Sequence, residues 1–268
     1  SSVEVDIGEQ VTLHVHESLD ANIGRYFATI KKLRKKIAGA KAAMDRPVAP
    51  PKKRRATAPV MKKRWFHRFR WFNTSDGILV LGGKDASQNE ELVKKYMEGG
   101  DRFVHADVHG ASVVIVKGVT TQMDEVVQFA ASYSGAWRSG HATADVYTAA
   151  PSQVSKTPES GEYVSRGSFV IRGEREYFRD VPLAAAIGLQ REPELAVIGG
   201  PPSAVAKKTD LFLVLKPGTF EPNDTAKKVL RTLRERVGEE EAKSLKSVLN
   251  TDQIAAFVPP GGSDIVEP

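Results

Sequence analysis

The chain reads as an α+β protein, a mixed β-sheet domain with packed helices, preceded by a long basic helix and followed by a small α/β unit. Three observations predict this. Apolar runs such as 113–116 and 211–215 are strand-sized. Apolar residues at helical spacing are confined to a few separate stretches instead of alternating regularly with strands. Glycine and proline, 22 and 15 residues, punctuate the boundaries between these segments. Strands with fewer, segregated helices point to α+β rather than to a parallel βα repeat.

Residues 3–15 alternate apolar and polar around Gly8 and predict one or two short strands. From 17 to 44 no proline intervenes, and Leu19, Ile23, Tyr26, Phe27, Ile30, Leu33 and Ile37 recur at helical spacing while Lys and Arg fill the other faces. Ser18 or Asp20 can cap this helix. At 1.5 Å per residue it would extend roughly 40 Å, more than a small domain is wide, so it reads as one arm of a coiled coil. Residues 1–44 are therefore a strand-plus-helix segment. Pro47, Pro50, Pro51 and Pro59, interleaved with Lys52, Lys53, Arg54 and Arg55, make 45–61 a basic linker that cannot build a core.

The main domain, 62–208, opens on Trp65, Phe66, Phe69, Trp71 and Phe72 among Lys62, Lys63, Arg64, His67, Arg68 and Arg70. Interleaved rings and cations suit base stacking with phosphate contact; equally, the rings can anchor the linker to a core and leave the cations outside. A strand at 78–81 then leads through Gly82-Gly83 to a helix at 87–97, with Ser87 and Glu90 at capping-box spacing. Extended segments at 103–110 and 111–117 flank Gly110, and a helix at 123–137 follows. Strands at 146–147, 163–172, 176–178, 185–189 and 195–198 complete one sheet. Beyond Gly199-Gly200-Pro201-Pro202, residues 209–268 read as a small α/β unit: a strand at 211–215, helices at 224–237, 239–249 and 251–257, and an irregular Pro259–Gly262 segment.

The net charge of +6 is unevenly placed: residues 25–70 hold 17 Lys and Arg against the single acid Asp45, whereas the flanking regions are mildly acidic. Such a block favours a polyanion and makes binding salt-dependent; the plainer alternative is a solvated, charge-biased linker. No apolar run is long enough to span a membrane. The chain has no cysteine, hence no disulfide or thiolate site. Residues 1–5 carry neither an initiating Met nor a signal-peptide pattern. The expected setting is cytoplasmic, and the chain reads as a segment of something longer.

Three places look most like chemistry. In His105-Ala106-Asp107-Val108-His109 a strand's two-residue period would set His105, Asp107 and His109 on one face. Two imidazoles and a carboxylate could hold a divalent metal whose water cleaves a phosphodiester. They could instead hydrogen-bond RNA, or orient Ser112 and Lys117. The second place is the turn at 82–88, whose free N–H groups would precede a helix and offer a phosphate cradle. The third comprises Ser155-Lys156-Thr157 with Ser160-Gly161, and Ser165-Arg166-Gly167-Ser168, hydroxyls and cations suited to phosphate but also to plain turns. No P-loop, nucleophile elbow or dinucleotide fingerprint occurs, so neither a catalytic residue nor a cofactor is expected.

The stretch WFHRFRWFNTSDGILVLGGKDASQNEELVKKYMEGGDRFVHADVHGASVVIVKG, followed by ASYSGAW and by QVSKTPESGEYVSRGSFVIRG, resembles the RNA-binding R domain of NFACT proteins. The helix before it is similar to the second arm of that family's central coiled coil, and VPPGGSDIV looks like the tail of archaeal members. The resemblance implies a factor of ribosome-associated quality control. Its complete form would recognise a large ribosomal subunit carrying a stalled chain on tRNA and recruit charged tRNA for C-terminal tailing, with peptide-bond chemistry left to ribosomal RNA. The family's N-terminal tRNA-binding domain, with its acidic and Arg pair, is not in this sequence, and Asp101-Arg102 only echoes it. The expected partners are the large subunit, ribosomal RNA and tRNA. The expected contacts are Lys62, Lys63, Arg64, Arg68, Arg70, Lys84, His105, Asp107, His109, Ser112, Lys117, Lys156 and Arg166. A metal-dependent nuclease built on the His105 strand and a fibronectin-binding-like interaction module are the alternatives.

Overall fold

A computed structural model describes residues 2–44, 58–157 and 164–266. Most of the expected linker at 45–61, and Ser160-Gly161, lie outside the described residues. The chain divides into two compact units, Ser1–Arg55 and Ala56–Pro268.

In the first unit β1 (Ser2–Asp6) and β2 (Gln10–His14) form an antiparallel hairpin. Gly8 turns it at φ +94°, with its N–H donated to the Asp6 carboxylate. The helix α1 (Leu19–Met44) follows. Ser18 caps it by accepting from the Ala21 N–H at 3.2 Å. The hairpin is held to the helix by polar contacts: the Tyr26 hydroxyl accepts from the Thr12 N–H and donates to its carbonyl, and the Asn22 amide does the same for His14. Most of the apolar stripe expected for α1 is exposed, Phe27 to 68% and Leu33 to 51%.

The second unit is α+β, as the sequence predicts, but its strands form two main sheets rather than one. The first runs through β3 (Arg70–Asn73), β4 (Leu79–Gly82), β5 (Arg102–Ala106), β6 (Val114–Val116), β7 (Thr143–Ala149) and, after the short pair β8 (Val154–Ser155) and β9 (Val170–Ile171), β10 (Glu176–Pro182). Its strand order is β10-β7-β5-β6-β4-β3, with every ladder antiparallel. The second sheet contains β11 (Ala185–Gln190), β12 (Ala196–Gly200), β13 (Phe212–Phe220) and β14 (Ser263–Val266) in the order β12-β11-β13-β14. Because β13 pairs with β11, this sheet runs straight across the 208/209 boundary read from the sequence.

Helices lie on these sheets. A short α1-independent turn of helix, α2 (Ala86–Glu91), continues as a π-turn over Leu92–Tyr96. The expected helix at 123–137 is two, α3 (Met123–Ser132) and α4 (Gly135–Arg138). It breaks because the buried Ser134 hydroxyl donates back to the Ala131 carbonyl and accepts from the Ala136 N–H, ending one helix and capping the next. The remaining helices are α5 (Pro202–Ala206), α6 (Pro222–Val237), α7 (Glu239–Ser244) and α8 (Thr251–Ala255). The C-terminal segment locks onto the α3–α4 layer: Tyr133 donates its hydroxyl hydrogen to the Phe257 carbonyl, and Trp137 Nε1 donates to the Gly262 carbonyl at 3.0 Å. One apolar core accordingly runs from Phe66 to Val258. No described helix is long and apolar enough to cross a membrane.

Candidate nucleic-acid interface

A cleft of about 620 Å³ opens at one end of the six-stranded sheet. Its first wall is the β4–α2 turn. Gly83 allows that turn, since a Cβ there would sit 2.0 Å from Asn89 Oδ1. The same buried Asn89 oxygen accepts from the Val113 N–H at 3.1 Å and ties the turn to the β5–β6 loop. The helix cap is Asp85, which accepts from Gln88, and not the expected Ser87. Within the phosphate cradle expected at 82–88 three N–H groups are engaged by the chain itself: Gly83 donates to the Val113 carbonyl, Lys84 to the Gln88 side chain and Gln88 to Asp85.

The second wall is the loop after β5. The strand ends at Ala106, and the chain turns through Gly110 at φ +74°. The two-residue period read over His105, Asp107 and His109 therefore holds only to the end of β5, and Asp107 and His109 lie in the loop that follows. Among the described residues no group of three or more His, Asp or Glu is placed to hold a metal.

The third wall, 165–169, belongs to a segment expected as a continuous strand; it is a loop pinned onto α2. Gly167, at φ +80°, approaches so closely that a Cβ would lie 2.6 Å from the Ala86 Cα. Its N–H donates to Glu90 Oε1 at 3.2 Å, Lys156 Nζ stands 2.8 Å from the same oxygen, and Arg166 donates to Ser87 Oγ at 3.1 Å. The Lys156 ammonium, then the Gly167 amide, hold the Glu90 carboxyl down to about 2. Lys156 also donates to the Ser165 carbonyl and lies over the Phe169 ring. It organises the loop instead of facing a ligand.

The floor is Phe103 and His105 of β5 with Tyr147 of β7. The imidazole lies parallel to Phe103 at 6.2 Å and 5.7 Å from Tyr147. Its Nδ1 is buried without a hydrogen-bond partner. Burial pushes the imidazole below its usual value, opposed by backbone groups of Ala106 and Ala111, so the ring is neutral at pH 7. At the rim, burial and then the neighbouring Arg70 guanidinium lower the Lys84 ammonium. Arg70 itself packs 5.0 Å over the Tyr133 ring with its Nε unpartnered. Two adjacent cations with no ion pair between them and an acid among the described residues make this rim locally positive.

Of the expected contacts, the structure brings Lys84, His105, His109, Ser112 and Arg166 together as cleft lining. Ser112 is buried and donates to the Tyr133 carbonyl, so its hydroxyl serves the fold. Lys117 is engaged elsewhere, with Asp101 at 2.7 Å, Glu98 at 3.2 Å and the Tyr96 carbonyl. Asp107 donates its N–H to the Asp145 carbonyl and does not line the cleft. Lys62, Lys63, Arg64 and Arg68 belong to the domain entrance, outside it.

Residues 68–173 match the NFACT protein RNA binding domain. The chain contains the RNA-binding domain of the NFACT family. It is similar to the archaeal Rqc2 homolog aRqcH of Methanocaldococcus jannaschii, 35% identical over 77% of this chain and 30% of that protein. It is also similar to the ribosome quality control complex subunit NEMF of Homo sapiens, 42% identical over 42% of this chain and 11% of that one, and to the NEMF homolog of Drosophila melanogaster, 41% identical over 47% and 13%. The chain thus spans less than a third of these relatives. A solved structure of the C-terminal part of the fibronectin/fibrinogen-binding protein from Streptococcus suis covers 48% of this chain and 50% of its own at 23% identity and a TM-score of 0.36, a likeness too slight to bear on fold or function.

All three cleft walls and the floor fall inside the matched NFACT span. Beside them lie residues that sequence reasoning missed. Tyr147 continues across the sheet to Tyr177 of β10 at 5.8 Å, with Arg175 over the first ring and Arg179 over the second. The period-two pattern Arg175, Tyr177, Arg179 was the available signal; the pairing of β10 with β7, which sets it beside the cleft, was not.

Proposed function

We propose that this chain is the RNA-binding module of a ribosome-associated quality-control factor, and that it binds rather than catalyses. The observation carrying this reading is the cleft itself: a positive rim of Lys84 and Arg166 above a ring-lined floor, lying wholly within the span that matches an RNA-binding domain. The relatives named as ribosome quality control subunits supply the context. In that setting the complete protein would recognise stalled large subunits bearing peptidyl-tRNA and support tRNA recruitment for C-terminal tailing, in the cytoplasm. The end of β5 at Ala106, which puts Asp107 and His109 in the following loop, favours binding over metal-assisted cleavage.

The test is binding of the chain to large ribosomal subunits and to tRNA across a salt series. Affinity is expected to fall steeply with salt, and the Lys84→Ala/Arg166→Ala double variant to lower the dependence of log K on log salt by about 1 to 2. Salt-independent association would overturn the reading. Cleavage of the RNA in the presence of divalent metal, abolished by His105→Ala, would replace it with the nuclease.

A further inference from the structure

We propose that the outer part of the six-stranded sheet's aromatic row, where Tyr177 of β10 stands exposed between Arg175 and Arg179, is a stacking platform for unpaired nucleic-acid bases, so that the ligand of this module is single-stranded RNA. The proposal rests on the RNA-binding reading above and deepens it. The register is its foundation: His105 of β5 pairs with Tyr147 of β7, which pairs with Tyr177 of β10. Residues directly opposite one another in adjacent strands project from the same face. Three rings therefore stand side by side across three strands, 5.7 and 5.8 Å apart and tilted by 43° and 53°. Side-by-side rings do not stack on one another. Tyr147 is buried and supports the row, so the ring that meets a base is the exposed Tyr177 at its outer end, which suits a base that is splayed out.

Two guanidinium groups extend the platform. Arg175 lies 4.7 Å over Tyr147 and Arg179 lies 4.3 Å over Tyr177, planes that can themselves carry a base. Arg179 is aimed there by a bulge: the β10–β7 register shifts between Phe178 and Val181, Asp180 adopts φ +51°, and Asp145 takes both the Asp180 N–H and the Arg179 side chain. Tyr177 remains 39% exposed, and β10 is an edge strand whose outer side is unpaired in the sheet.

Charge discriminates between bases and phosphates as the complement of this face. Arg175 and Arg179 are balanced by Asp145, paired to Arg179, and by Asp107, close enough to act electrostatically on His105, Tyr147 and Arg179. A near-neutral aromatic face attracts base planes; the phosphates are left to Lys84 and Arg166 on the adjoining cleft rim. A duplex keeps its bases stacked inside and could use only the rim.

The experiment compares the full chain binding a single-stranded adenine-rich oligonucleotide and the same sequence in a blunt duplex, with 2-aminopurine placed in the single strand to report stacking. The single strand is expected to bind about ten-fold or more tightly than the duplex, with quenching of 2-aminopurine. Tyr177→Ala, at an exposed ring, should lower single-strand affinity roughly ten-fold and remove the quenching without affecting duplex binding, and Tyr177→Phe should restore both. Equal binding of the two forms, with Tyr177→Ala silent and Lys84→Ala/Arg166→Ala weakening both, overturns the platform and leaves RNA binding intact. No binding of either form at low salt overturns the RNA-binding reading itself.

Discussion

The basic entrance at 62–72 and the cleft are built from the same residue types and use their cations oppositely. At the entrance four of the five rings are core: Phe66, Phe69, Trp71 and Phe72 are all buried, and only Trp65, lying on Tyr96, keeps half its surface. The cations there are largely committed, Arg64 to Glu194, Arg68 to Glu91 and the Phe69 ring, and Arg70 to the Tyr133 ring, leaving Lys62 and Lys63 exposed. The cleft holds fewer charges and its floor rings Phe103 and Tyr147 are buried as well, but Lys84 and Arg166 on its rim are exposed and form no ion pair among the described residues. Density of aromatic and basic residues in a sequence is therefore a poor measure of binding; what matters is which groups the fold has already satisfied.

The largest expected effect that tests this contrast is on stability. Phe69→Ala should cost about 3–5 kcal/mol in denaturant unfolding, because the ring is 1% exposed and wedged among Trp65, Tyr96 and Arg68. A variant of unchanged stability that no longer binds RNA would invert the assignment of the two regions.

A smaller effect concerns charge. Arg64→Ala and Arg68→Ala remove exposed ion pairs worth at most about 1 kcal/mol each, and should leave the salt dependence of RNA binding nearly unchanged. An entrance variant that flattens the salt dependence more than the Lys84→Ala/Arg166→Ala pair would move the interface to the entrance.

The smallest effect isolates the loop that walls the cleft. Glu90 is held at about 2 in the folded chain against an ordinary value of 4.5. Because the folded value is depressed, its contribution is complete above about 4.5 and is lost as pH falls through about 2. Amide exchange at Gly167, corrected for its intrinsic pH dependence, should stay protected from neutral pH down to about 4. Glu90→Gln should lose that protection at every pH, with only a modest fall in RNA affinity. Protection that survives Glu90→Gln would show that the loop is held by Gly167 packing on Ala86 alone.

The sequence by itself determined the α+β class, the hairpin around Gly8, the long N-terminal helix and the existence of most strands and helices, because period and punctuation are local properties of the chain. It also placed Lys84, His105, His109 and Arg166 among the candidates for one site, and the family resemblance carried the RNA-binding assignment. Only the tertiary structure decided which candidates remain available. Glu194 lies 130 residues from Arg64, and Ser87 lies 79 from Arg166, so whether a cation is neutralised or presented depends on pairings with no local signature. Strand ends behave alike: the two-residue period of 105–109 was sound as far as Ala106, where the β5–β7 ladder stops and the chain turns. The pairing of β10 with β7, and of β11 with β13 across the expected domain boundary, followed from long-range burial of apolar faces. That same pairing set Tyr177 beside Tyr147, which no spacing along the chain could have done.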